Sequence, residues 1–207
     1  MGQWALFEAC RQGQQWQSYA GCDRDFSIGV NISARQVTPA LVDIVAAALA
    51  ESGIPPRALL LEMTESVLLG RTEEAIQVLR ALKRLGVRLA IDDFGTGFSS
   101  LSYLARFPVD VLKIDKDFID AVDGEGERAE LARTIVGLGK SLRLPTIAEG
   151  IERESQCHAL RDIGCEFGQG YLFSRPLPAS GVSELLRGSL ATARPRSPVD
   201  VAVALGA

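Results

Sequence analysis

The sequence predicts an α/β fold in which parallel strands are joined by crossover helices, and three observations predict it. Short apolar runs alternate with stretches of helical periodicity along most of the chain. The runs read as continuous apolar blocks, such as Leu59-Leu60-Leu61, which is the pattern of strands covered on both faces. Nearly every run then ends in a polar or charged residue. Such a chain forms either an open doubly wound sheet or a closed (β/α)8 barrel. Its 207 residues fit one domain.

The elements follow in order. Trp4 to Tyr19 has helical spacing, and the segment from Gly21 to Asp25 breaks it. A strand-like run spans Phe26 to Ile32. Thr38-Pro39 opens a helix from Ala40 to Ser52, which Gly53 stops and Pro55-Pro56 cannot continue. Leu59-Leu60-Leu61 begins the next strand. The unit then repeats as helix Thr72 to Leu85, strand Val87 to Ile91, helix Ser99 to Arg106 and strand Val109 to Ile114. Helix Glu127 to Leu142 leads to strand Thr146 to Ala148, and helix Glu154 to Ile163 to a last strand near Phe167 to Phe173. Six strands result. Beyond Leu186 the chain turns to Ala, Pro, Ser and Arg, so residues 1–186 form the domain and 187–207 a mobile tail.

Composition narrows the function. A hydrophobic share of 47%, a charged share of 23% and a mean hydropathy of +0.13 describe a globular chain. A formal charge of -4 argues against gripping a nucleic acid polymer through a broad basic surface. No run reaches the roughly 20 apolar residues of a membrane span. The four cysteines, Cys10, Cys22, Cys157 and Cys165, have no CxxC or zinc spacing and read as thiols of a reducing compartment. Cytoplasmic localisation is the expectation.

The polar strand ends carry the chemistry. Asn31 follows Ile28-Gly29-Val30, Glu62 and Glu65 follow the triple leucine, and Asp92-Asp93 follow Leu89-Ala90-Ile91. Lys113 follows Val111-Leu112, Glu149 follows Ile147-Ala148, and Gln169 falls in the last strand. Any one of these is as readily a solvated strand end or a helix N-cap. Together, in a barrel, they converge on the face where the loops after the strands meet. Several carboxylates with an amide, and no histidine or cysteine, suit Mg²⁺ or Mn²⁺ rather than zinc. Adjacent Asp92 and Asp93 suit a metal pair of the kind that cleaves phosphodiesters, and Lys113 adds a cation for a phosphate.

Other features lead nowhere comparable. Asp93-Phe94-Gly95 resembles a kinase tripeptide, but no glycine-rich nucleotide loop or His-Arg-Asp loop accompanies it. His158, the sole histidine, sits within a helix and reads as a surface or packing residue. The charged run Asp123 to Glu130 reads as a solvated loop and helix start.

Six segments in order carry a family resemblance: Val30-Asn31-Ile32-Ser33, Leu61-Glu62-Met63-Thr64-Glu65-Ser66, Ile91-Asp92-Asp93-Phe94-Gly95-Thr96-Gly97, Leu112-Lys113-Ile114-Asp115, Ala148-Glu149-Gly150 and Gln169-Gly170-Tyr171-Leu172-Phe173. The chain resembles the EAL domain family from about Trp4 to Pro178. The resemblance implies a TIM-like (β/α)8 barrel whose first strand runs antiparallel to its neighbours, and hydrolysis of cyclic di-GMP to linear pGpG with Mg²⁺ or Mn²⁺. It implies Asn31, Glu62 and Asp92 as ligands of one metal, and Asp92, Asp93 and Glu149 around a second. Lys113 would orient the nucleophilic water, Gln169 would hold the water network, and Glu149 is also a candidate general base, a role that competes with ligation. Glu65 resembles the residue that steadies the loop from Asp93 to Ser100, and Glu152 a supporting carboxylate.

The sequence departs from the family in containing no Glu-Ala-Leu tripeptide, whose glutamate is a metal ligand there. Aligned to the family pattern, Met1-Gly2 fall ahead of the helix before the Asn31 strand, so the first two strands and the helix between them lie outside these residues. Six strands and a weakened metal site are the expectation, with poor activity for this chain alone. An open barrel edge is one that a second copy could cover, which makes a homodimer a candidate partner beside cyclic di-GMP. A non-catalytic cyclic di-GMP receptor, a protein-interaction domain, or a barrel enzyme for another phosphate ester are the competing readings.

Overall fold

The computed structural model describes residues 2–20, 26–69, 73–96, 104, 106–191 and 200–201. Helix α1 (Gly2–Ala20) turns Leu6, Ala9, Cys10, Gly13 and Trp16 inward at three- to four-residue spacing. Strand β1 (Ile28–Asn31) follows, then α2 (Pro39–Ser52), with proline in its first turn and Gly53 closing it in the left-handed conformation. Strand β2 (Leu59–Thr64) and the short α3 (Ser66–Leu69) lead to α4 (Glu73–Leu85). That helix carries Glu73 and Glu74 in its first turn and Lys83 and Arg84 in its last, which complements its dipole. Strands β3 (Arg88–Phe94) and β4 (Val111–Ile114) come next, then α5 (Lys116–Ile119) and α6 (Glu127–Leu142). The chain continues through β5 (Thr146–Ala148), α7 (Glu154–Ile163), β6 (Phe167–Gly168), α8 (Ala179–Ala191) and β7 (Asp200–Val201).

The sheet order decides between the two architectures. All seven strands pair with their sequence neighbours, in the order β1 to β7, and every pair is parallel. A doubly wound sheet reverses its order at a switch point. This one never does, which is the winding of a (β/α) barrel, here as part of the circle.

Alternation along the strands builds two cores. Leu59, Leu61, Met63, Leu89, Ile91, Leu112 and Ile114 join the large cluster shared with the helices. Leu60, Ala90, Val111 and Ile147, with Phe167 against them, form a separate cluster on the opposite face. Two residues further along the same strands, and therefore on that second face, come Glu62, Asp92, Lys113 and Glu149. The small apolar layer is the floor beneath them.

Two expectations change, and a third falls outside the described residues. The strand expected near Phe167 to Phe173 is only Phe167–Gly168, so Gln169 lies one residue beyond it. The chain turns there: the amide of Leu172 donates to Ile151 O and that of Phe173 to Gly170 O. Where composition predicts a mobile tail from residue 187, α8 runs on to Ala191, and Asp200–Val201 add a seventh strand against β6. Trp16 and Val182 explain the helix, being buried together, with the Trp16 indole donating to Ser183 Oγ at 2.9 Å. The helix expected from Ser99 to Arg106 lies almost wholly outside the described residues.

Candidate active site

Glu62, Asp92, Lys113 and Glu149 meet around one ammonium group. Lys113 Nζ lies 2.5 Å from Glu62 Oε2, 2.6 Å from Glu149 Oε1 and 3.0 Å from Asp92 Oδ1. The strand register brings this about. Glu62 is beside Ala90 and two residues from Asp92, while Lys113 is beside Ile147 and two from Glu149, so all four side chains share one face.

Asp93 needs a further device, because strict alternation would turn it away from Asp92. The register of β3 on β4 shifts between Ile91 and Phe94, and Asp93 takes φ 53°. This bulge swings both carboxylates to one side. Oxygens of Asp92, Asp93 and Glu149 consequently lie within 4.8 Å of one another.

Burial governs the electrostatics. It pushes the Glu149 carboxyl up to about 7, with Asp92 and Glu62 adding to the rise and Lys113 opposing it. Burial likewise raises Glu62, again against Lys113. Asp93 is raised by burial, by Asp92 and by a hydrogen bond to Asp115. For Lys113, burial alone would favour the neutral amine, but Glu62, Glu149 and Asp92 reverse this and hold the ammonium protonated above the usual lysine range.

The residues fit a hard divalent cation. The grouped donors, Asp92, Asp93 and Glu149, are carboxylate oxygens, which Mg²⁺ and Mn²⁺ prefer. The Lys113 ammonium already occupies a cation position among three of them. Burial first, and then the neighbouring carboxylates, raise Glu62, Asp93 and Glu149, a cost that a further cation at the site would offset.

The other expected residues surround this centre. Asn31 ends β1 in register with Glu62, its side chain exposed. Glu65 Oε2 accepts from the amide of Gly95 at 3.1 Å, tying the end of β2 to the start of the Asp93 loop. Gln169 is fixed by its backbone, its amide donating to Ala148 O and its carbonyl accepting from Ile151. Glu152 stands outside the cluster, exposed and paired with Lys116 at 2.6 Å. His158 is exposed on α7.

Two residues were not anticipated from the sequence. Asp115 lies two positions after Lys113, the spacing that keeps it on the same side, and its carboxyl bonds Asp93. That spacing was readable. Gly29 had no comparable signal: a Cβ there would stand 2.1 Å from Glu62 Oε1, so the glycine provides the space in which the Glu62 carboxylate lies.

The sequence model of the EAL domain matches residues 1–176. The chain belongs to the EAL domain family. This EAL domain is 43% identical over 180 residues to the bifunctional diguanylate cyclase/cyclic di-GMP phosphodiesterase MucR of Pseudomonas aeruginosa, covering 86% of this chain and 26% of that protein. It is also 43% identical over 185 residues to the cyclic di-GMP phosphodiesterase NbdA of the same organism, covering 89% of this chain and 23% of that one. A solved structure of the MucR phosphodiesterase as a cyclic di-GMP complex superposes with TM-score 0.82 at 42% identity, over 87% of this chain and 73% of that chain. The chain spans about a quarter of the length of the curated relatives it matches. Among the described residues no helix is long and apolar enough to cross a membrane.

Proposed function

We propose that this EAL domain is a cytoplasmic, metal-dependent phosphodiesterase that hydrolyses cyclic di-GMP to linear pGpG. The observation that carries the reading is the convergence of Glu62, Asp92 and Glu149 on Lys113 with Asp93 alongside. Identity to two proteins named as cyclic di-GMP phosphodiesterases supports the choice of substrate.

Asn31, Glu62, Asp92, Asp93 and Glu149 are the residues that would hold Mg²⁺ or Mn²⁺. The ions would activate water and balance the charge of the leaving oxygen. In the reaction, water attacks phosphorus, the bond from phosphorus to the 3′ oxygen breaks, and a 5′-phosphate and a 3′-hydroxyl result. Lys113 orients the water and offsets charge on the phosphate. Glu149, 2.6 Å from Lys113, is the candidate to take the water's proton, a role that competes with its holding a metal. Gln169 holds the water network, its backbone fixed between Ala148 and Ile151. Glu65 steadies the Asp93 loop through the Gly95 amide, and Glu152, paired with Lys116 at the surface, is a minor supporting carboxylate beside the turn after Glu149.

The 207 residues supply no Glu-Ala-Leu tripeptide, so turnover by these residues alone is slow on this reading. The same observation favours one alternative, a non-catalytic cyclic di-GMP receptor. Glu149→Gln separates the two. Loss of pGpG formation with calorimetric cyclic di-GMP binding retained supports the enzyme. A wild-type chain that binds as the variant does, and makes no product, supports the receptor.

A further inference from the structure

Gln156 is a polar side chain with no exposed surface, and it lies outside the cluster of charged groups. Its Oε1 accepts hydrogen bonds from the amides of Glu152 and Arg153, each at 2.8 Å. Its Nε2 donates to Ile119 O at 3.1 Å. One amide group thereby joins the end of α5, the helix that starts three residues after Lys113, to the turn that starts with Glu149. The side chain itself is wholly buried, and its bond to Ile119 O is made in the interior, while the two amides it accepts from belong to exposed residues; a buried amide left unpaired is costly.

The turn is gripped from both sides. Opposite Gln156, the amide of Ile151 donates to Gln169 O at 3.0 Å and Ile151 O accepts from Leu172 at 2.9 Å. Gly150 takes φ 70°, and a Cβ on it would stand 2.5 Å from Lys116 Cγ, so α5 and the turn are in close contact. Exposed side chains add further links: Lys116 pairs with Glu152, and Arg153 donates to Asp120 O at 2.9 Å and pairs with Asp123 at 2.9 Å; exposed ion pairs of this kind contribute little. Among these links, Gln156 is the one made from a side chain with no exposed surface.

We propose that Gln156 is a positioning residue: it sets the height of the turn after β5 on α5, and so holds the Glu149 carboxylate against Lys113 and beside Asp92 and Asp93. The proposal deepens the phosphodiesterase reading and rests on it for the meaning of Glu149.

The test compares Gln156→Leu, which keeps the volume and loses all three bonds, with Leu160→Ala, which loosens the same helix from the core and leaves them. Three quantities are measured: thermal stability, Mn²⁺ affinity by calorimetry, and the separation of Glu149 from Lys113 in crystals of the metal-free variants. Gln156→Leu is expected to weaken Mn²⁺ binding about tenfold or more, as lost supporting hydrogen bonds do. It is also expected to move Glu149 beyond the roughly 4 Å limit of an ion pair with Lys113. Leu160→Ala is expected to lower the melting temperature and change neither of the other two. If Gln156→Leu leaves both at wild-type values, or if Leu160→Ala shifts them equally, the proposal is overturned. Should Gln156→Leu not fold, Gln156→Glu carries the same test, since it keeps the two accepted bonds and loses the donation to Ile119. A wild-type chain that makes no pGpG would sink the phosphodiesterase reading, while the Glu149 to Lys113 separation would still decide the role of Gln156.

Discussion

Lys113 Nζ stands 2.6 Å from Glu149 Oε1, although the two residues are 36 positions apart in the chain. The pairing of β4 with β5 sets Lys113 beside Ile147, and Glu149 is the next residue on that face. The ammonium is 3% exposed and is shared with Glu62 and Asp92. This interior is therefore arranged around cations, and its behaviour without a divalent ion follows from too few of them.

The first consequence is a pH dependence. Glu149 has its carboxyl near 7 in the fold against 4.5 ordinarily, so between those values the folded state binds more protons than the unfolded. Stability of the metal-free chain should then fall as pH rises from about 5 to 7 and level off above, by up to about 3 kcal/mol. Urea unfolding across this range checks it. Stability rising toward pH 7 without metal would contradict the assignment.

Removing the cation should be worse than removing a carboxylate. Lys113→Met leaves Glu62, Asp92 and Glu149 buried without their shared cation, and breaking a buried pair in this way costs about 3–5 kcal/mol. Glu149→Gln removes excess negative charge and should cost less than 1 kcal/mol, or stabilise the metal-free chain. Denaturation midpoints of the two variants, measured side by side without metal, give the order.

Gly29→Ala tests the space reserved for Glu62. The added Cβ would meet Glu62 Oε1 at 2.1 Å, so the carboxylate must swing away from Lys113. Mn²⁺ affinity should drop about tenfold by calorimetry. Unchanged affinity would mean that Glu62 has another route to the metal.

Much of this was legible in the sequence because apolar blocks and terminal polar residues both obey simple periodicity. The strand ends at Glu62, Asp92, Lys113 and Glu149 were found that way, and the structure gathers them around one ammonium. The convergence of Asp92 with Asp93 was less legible, since it depends on a bulge and a φ of 53° that neighbouring residues do not announce. The end of the last strand was misplaced because Tyr171, Leu172 and Phe173 have strand propensity, yet hydrogen bonds to Ile151 and Gly170 turn the chain. Gly29 and Gln156 were invisible because each acts through a contact distant in sequence, with Glu62 and with Ile119. The sheet order, which excluded the doubly wound alternative, is a property of pairing that no single segment encodes.

The central claim is tested most directly by incubating the purified chain with cyclic di-GMP and Mg²⁺ or Mn²⁺ and separating the nucleotides by chromatography. The account predicts slow formation of pGpG that requires the metal and is lost in Asp92→Asn. Tight binding of cyclic di-GMP with no pGpG under either metal, or product formation that survives Asp92→Asn, would contradict it.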